Sequence, residues 1–137
     1  MEAPSPARLF AAAAGALLLV LGVVGFFYYA SFGPLDQYEE ALGAIQVNGW
    51  LNIFYIATGA VGLLVAGVAS RTYSLTVGVL YTLLAIVGWG TGALNLVVGL
   101  LGLAAAAGTP RTKAKPQPKK SRSRKLKPRP KPAGKRA

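Results

Sequence analysis

The chain has 137 residues, 53% of them hydrophobic and 14% charged, with a mean hydropathy of +0.46 and a net charge of +11. A soluble domain scatters about 25% charged residues along its length, whereas this chain has none between Arg8 and Asp36, between Glu40 and Arg71, or between Arg71 and Arg111. It has no cysteine and no histidine, which excludes disulfide and thiol chemistry and removes the commonest transition-metal ligands. Three long charge-free windows in so short a chain read as membrane-spanning helices. A soluble bundle would show polar stripes at a 3.6-residue period, and these windows show none.

Residues 1–8 form a short polar lead with Pro4 and Pro6. The first helix is predicted over residues 9–31, closing in the aromatic cluster Phe26-Phe27-Tyr28-Tyr29. A cleaved signal peptide is the competing reading. The apolar core of about 20 residues exceeds the usual 7–15, and a single basic residue precedes it, so an uncleaved anchor is preferred. Gly33-Pro34 breaks that helix. In the loop that follows, Leu35, Tyr38, Leu42 and Ile45 fall at the spacing of a short amphipathic turn lying on the membrane surface, with ligand binding as its alternative. Asp36, Glu39 and Glu40 read as solvated charges, because paired carboxylates do acid–base work only where a pocket shifts their pKa values apart.

The second helix is predicted over residues 49–68, with polar Asn48, Trp50, Asn52 and Tyr55 at its start and an aliphatic body. Ser70-Arg71-Thr72 reads as a tight turn, 73–89 as the third helix, Gly90-Thr91-Gly92 as a second turn and 93–107 as the fourth helix. One long helix over 73–107 is the alternative, but Gly88, Gly90 and Gly92 interrupt it. The expected fold is therefore all-α: an integral membrane four-helix bundle of two helical hairpins, with a disordered basic tail over 108–137. Arg8, Arg71 and the tail then share one side and the acidic loop the other. The positive-inside bias puts both termini in the cytoplasm and the acidic loop outside, and the expected location is the inner (plasma) membrane.

Gly15, Gly22 and Gly25 recur at the spacing of Gly92, Gly99 and Gly102, and Tyr55-x3-Gly59-x2-Gly62-Leu63 echoes Asn95-x3-Gly99-x2-Gly102-Leu103. Such steps place glycines near one helix face, where backbones approach closely, and packing is the expected role of Gly15, Gly22, Gly25, Gly59, Gly62, Gly99 and Gly102. Asn52, Tyr55 and Thr58 share a face of the second helix, and Asn95 opens the fourth. Together they would either hydrogen-bond between helices or line a small polar pocket bordered by Trp50 and Trp89. No ionisable residue lies within the predicted spans, and no phosphate loop, nucleophile elbow or metal motif occurs, so neither catalysis nor a cofactor is expected.

The tail from Arg111 holds 13 of the 15 basic residues, no acidic residue and no aromatic one. Pro116, Pro118, Pro128, Pro130 and Pro132 and mutual repulsion favour an extended, disordered segment. Without aromatics it cannot stack on bases, so sequence-specific nucleic-acid reading is not expected. Lys119, Lys120, Arg122, Arg124, Lys125, Lys127 and Arg129 would neutralise phosphates, of anionic lipid headgroups first and of nucleic acid in competition. Otherwise the tail stays solvated and fixes topology. A homo-oligomer or another membrane protein is a further expected partner.

The run Val47-Asn-Gly-Trp-Leu-Asn52-Ile-Phe-Tyr55-x3-Gly59-x2-Gly62-Leu63, with Tyr73, Gly78-Val-Leu-Tyr81 and the Asn95 block, resembles the DUF4383 family over about residues 8–107. That resemblance implies a small four-helix bacterial membrane protein, of a kind common in actinobacteria, and brings no activity with it. It also implies histidines at the start of the second helix and ahead of the later glycine, where this chain has Leu51-Asn52, Tyr55 and Asn95.

Overall fold

The computed structural model describes residues 3–111 and Gly134. The tail positions expected to meet polyanions, Lys119, Lys120, Arg122, Arg124, Lys125, Lys127 and Arg129, lie outside the described residues. Among the described residues six elements follow in order: α1 Pro6–Tyr28, β1 Glu39–Ala41, β2 Ile45–Val47, α2 Gly49–Val65, α3 Ser70–Val87 and α4 Gly92–Ala107.

Local chemistry sets these boundaries. Helix α1 starts three residues before its apolar run, because Ser5 caps it by accepting from the Arg8 N–H at 3.2 Å, and Pro6 fits the first helical position. It ends when Tyr29 turns extended (φ −158°), three residues short of the expected end. Helix α2 is capped by Asn48, whose Oδ1 accepts from the Leu51 N–H at 2.8 Å. It stops at Val65, and residues 66–69 make the turn. Ser70-Arg71-Thr72 is therefore not a turn but the first turn of α3. A charge breaks the apolar run there without breaking the helix. Gly88 ends α3 in the left-handed conformation (φ 74°), its N–H bonded to Leu84 O.

The loop between α1 and α2 departs from expectation. The segment read as an amphipathic turn holds an antiparallel hairpin, with Glu39 opposite Val47 and Ala41 opposite Ile45. Its tip passes through Leu42 (φ 54°) and Gly43 (φ 75°), and the Ala44 N–H returns to Ala41 O at 3.2 Å. Two consecutive positive φ values match the right-handed twist of the paired strands. A leucine in the first of them gives no sequence signal of such a turn.

Helix α1 packs along α2, and α3 along α4, with α1 also touching α3 and α4 to join the two hairpins. The polarity of the packing is the feature that positions everything else. On α1 the buried residues are Ala7, Ala11, Ala14, Gly15, Leu18, Gly22 and Gly25, while Leu9, Leu17, Val20, Val23 and Phe27 are exposed. Elsewhere Leu64 (81% exposed), Val68 (88%) and Ile86 (74%) stand outward. Inside lie Asn48, Asn52, Ser74 and Asn95, with Tyr55 and Tyr81. Helices α1 and α3 are long and apolar enough to cross a membrane, and α2 and α4 are shorter apolar helices.

Candidate functional site

The glycines bring the helices to backbone contact. A Cβ on Gly15 would sit 2.9 Å from Gly59 O, one on Gly22 would sit 2.5 Å from Asn52 O, and one on Gly62 would sit 2.5 Å from the Tyr73 hydroxyl. On the second hairpin a Cβ on Gly102 would sit 2.8 Å from Ser74 O, and one on Gly99 would sit 2.6 Å from Thr82 N. Real Cβ atoms essentially never come closer than 3.0 Å, so side chains at these positions would push the helices apart. Gly92, paired with Gly15 by spacing, meets nothing within 4 Å and takes no part in close packing.

Each close pair is pinned by an asparagine. Asn52, the fourth residue of α2, donates from Nδ2 to Tyr29 O at 2.9 Å, just past the end of α1. Asn95, the fourth residue of α4, donates from Nδ2 to Trp89 O at 2.6 Å, just past the end of α3. Carbonyls at a helix end lack intrahelical partners, and each amide satisfies one. The equivalence is written as Gly49-Trp-Leu-Asn52 and Gly92-Ala-Leu-Asn95, with Gly59 and Gly102 each seven residues on from the asparagine. The repeat therefore pairs Asn52 with Asn95. The glycine spacing alone pairs Tyr55 with Asn95, which is three residues out of step.

Of the residues expected to form a pocket, Asn52, Tyr55 and Asn95 are fully buried at one end of the bundle. Tyr55 stacks on Tyr81 (centroids 6.5 Å apart), and Phe54 meets both Tyr81 and Trp89 at 5.5 Å. Beside Tyr81, Thr58 stands at the edge of this cluster. Its hydroxyl turns back to Phe54 O at 2.8 Å, and it lines an outer groove between α2 and α3. Asn52 Oδ1, Tyr55 Oη, Tyr81 Oη, Trp89 Nε1 and Asn95 Oδ1 are buried without a hydrogen-bond partner among the described residues. Asn52 Oδ1 presses on Gly25, which offers only Cα–H donors. Trp50 lies outside this cluster, half-exposed against Phe32, its Nε1 donating to Gly33 O at 3.1 Å.

The β hairpin lies at this same end. The Gln46 N–H donates to Thr91 Oγ1 at 2.8 Å, tying β2 to the turn before α4, and Asn48 Nδ2 donates to Gln37 O at 3.1 Å. At the opposite end, Thr109 Oγ1 accepts from the Ala7 N–H at 2.9 Å, and Arg71 Nε donates to Thr109 O at 3.1 Å. Sequence reasoning misses the ties made by Asn48, Thr91 and Thr109. The N-cap pattern before Gly49 and Gly92 is the signal that marks the first two. The chemistry available inside is hydrogen bonding by amides, hydroxyls and an indole. The only charged residues within the four helices, Arg8 and Arg71, sit in first turns.

A family model described as a domain of unknown function (DUF4383) matches residues 8–95, from the first turn of α1 to the asparagine that pins α4. No curated protein and no solved structure matches the chain.

Proposed function

The chain belongs to the DUF4383 family, and from that premise and the polarity of its packing we propose that it is a non-enzymatic multi-pass membrane protein that serves in association or scaffolding. The observation that carries the reading is the reversed distribution of side chains: large aliphatic residues outward, glycine, alanine, asparagine and tyrosine inward. In water, an apolar surface of this extent drives aggregation. In lipid it costs nothing, and helix association rests instead on small residues and interhelical hydrogen bonds. At about 1.5 Å per residue, α1 spans about 34 Å, while the other helices are a few ångströms shorter than a core of about 30 Å, which local thinning accommodates.

All four helices cross in this reading. Arg8, Arg71 and the basic tail face the cytoplasm, and the β hairpin with Glu39 and Glu40 faces outward. The tail contacts anionic lipid headgroups or nucleic acid. A small transporter or channel component built on Asn52, Tyr55 and Asn95 is the second reading. It has less support, because those side chains pack against helix ends and each other, away from the open grooves on the described surface.

The lack of cysteine makes the test clean. Single-cysteine variants Glu40→Cys and Ala137→Cys, in sealed cells, are labelled with a membrane-impermeant maleimide before and after lysis. Glu40→Cys should react at once and Ala137→Cys only after lysis. Labelling of both before lysis, or release of the chain by alkaline carbonate, refutes the topology. Deleting residues 111–137 should remove salt-sensitive binding to anionic vesicles and leave insertion intact, and binding that survives the deletion refutes the tail's role.

A further inference from the structure

Between α2 and α3 runs an open apolar groove of about 440 Å³, lined by Phe54, Ala57, Val61, Val65, Thr76 and Leu80 among others. At its lower end it shares Ala69 and Thr72 with a second, polar cavity of about 600 Å³ that carries Arg71, Thr109 and Arg111. One continuous surface thus has an apolar trough and a doubly cationic mouth. The mouth is also held in place, because Arg71 Nε donates to Thr109 O at 3.1 Å and fixes the guanidinium beside the opening. Of the four acidic residues, Asp36, Glu39 and Glu40 precede α2 at the far end of the bundle, away from the mouth, and Glu2 lies outside the described residues.

The geometry points to a site for a single anionic phospholipid, its acyl chain in the α2–α3 groove and its phosphate on Arg71 and Arg111. The site rests on the membrane reading given above. From Phe54 to Val65 the groove wall rises about 16 Å at 1.5 Å per residue, and one leaflet of the hydrocarbon core is about 15 Å deep. The trough therefore ends where a lipid's chains end, and the guanidinium groups sit where its phosphate sits. Charge complementarity selects this occupant over a second copy of the chain, which in a parallel pair would bring the same two guanidinium groups to the mouth. The groove between α1 and α4, lined by Leu9, Leu17, Leu94, Val97 and Leu101, includes neither arginine and is assigned no lipid.

The test uses the full chain reconstituted in equimolar phosphatidylcholine and phosphatidylglycerol, released in mild detergent and read by native mass spectrometry. One phosphatidylglycerol per chain should be retained in preference to phosphatidylcholine, and it should stay when residues 113–137 are deleted. Arg111→Gln should lower that preference roughly five-fold, and Arg71→Gln by the same factor, as expected for one cation near an anionic surface. Arg71→Lys should restore part of the loss. Thr76→Phe, which fills the trough, should lower retention of the lipid while leaving binding of inorganic phosphate unchanged. Retention insensitive to both arginines but lost with residues 113–137 assigns the lipid to the tail and overturns the site. Retention insensitive to Thr76→Phe, with phosphate competing fully, reduces it to a bare anion site and overturns the groove. Dimers that cross-link through Thr76→Cys overturn the lipid as occupant. Carbonate extraction of the same samples separates failure of the site from failure of the membrane reading.

Discussion

Replacing Gly59 by alanine places the packing argument at its sharpest, because two known effects oppose each other there. In an isolated helix, alanine is better than glycine by about 1 kcal/mol. Between α1 and α2 the added methyl would lie 2.5 Å from Gly15 O and 2.9 Å from the Leu19 Cα, where ordinary contact begins at 3.4 Å. Relief requires a separation of about 0.9 Å, and a gap of 0.5–1 Å forfeits a quarter to a half of each dispersion contact along the seam. Backbone atoms cannot swing aside as a side-chain end can, so the overpacking cost of about 1–3 kcal/mol is expected near its upper end. The net prediction is a loss of about 2 kcal/mol, some thirty-fold in the unfolding constant. Reversible unfolding in mixed dodecyl sulfate micelles, followed by Trp50 and Trp89 fluorescence, measures it. Gly92→Ala is the internal control: a Cβ there meets nothing within 4 Å, so the variant should match the parent or exceed it by a few tenths of a kcal/mol. If Gly59→Ala is as stable as Gly92→Ala, the helices do not touch through their glycines and the reasoning fails.

Three further outcomes follow from the same geometry. Leu42→Asn should stabilise the hairpin by about 1 kcal/mol, since leucine is strained at a positive φ and its side chain is mostly exposed; an unchanged melting temperature would contradict the turn. Asn52→Ala and Asn95→Ala should each cost about 0.6–1.7 kcal/mol in the same micelle assay, and similarly for both, because each loses one bond to a helix-end carbonyl. Thr91→Val removes the acceptor of the Gln46 N–H, so hydrogen exchange should quicken at Gln46 and its strand neighbours while the α1–α2 seam is unaffected.

The sequence displays the helices and hides their contacts. The charge-free windows are plain to see, and the four helices read from them match α1 to α4 to within about three residues at each end. Which face of each helix turns inward is harder to see, since a helix apolar all round carries no polar stripe to point away from the core. Only residue size distinguishes Gly15 and Ala11 from Leu9 and Leu17. The glycine steps therefore read as packing, but the register of the repeat does not, because Tyr55 and Asn95 both precede a glycine by four. The shared Gly-x-Leu-Asn settles it in favour of Asn52. The hairpin is illegible for a different reason. Strands of three residues are too short for alternation to be read, and its turn breaks the residue preferences that normally announce one.

The asparagine ties also set an order of events. Asn52 reaches back 23 residues to Tyr29, and Asn95 only six to Trp89, so each helix pair closes using residues already present in its own half of the chain. Neither tie needs a partner from the other half of the chain. As the polypeptide leaves the ribosome, the first pair is complete once Val65 has emerged, and it then offers the flank of α1 as a finished wall for the second pair to settle against. In the membrane reading proposed above, synthesis and final packing then run in the same direction, and each helix-end carbonyl waits for an asparagine from its own half of the chain.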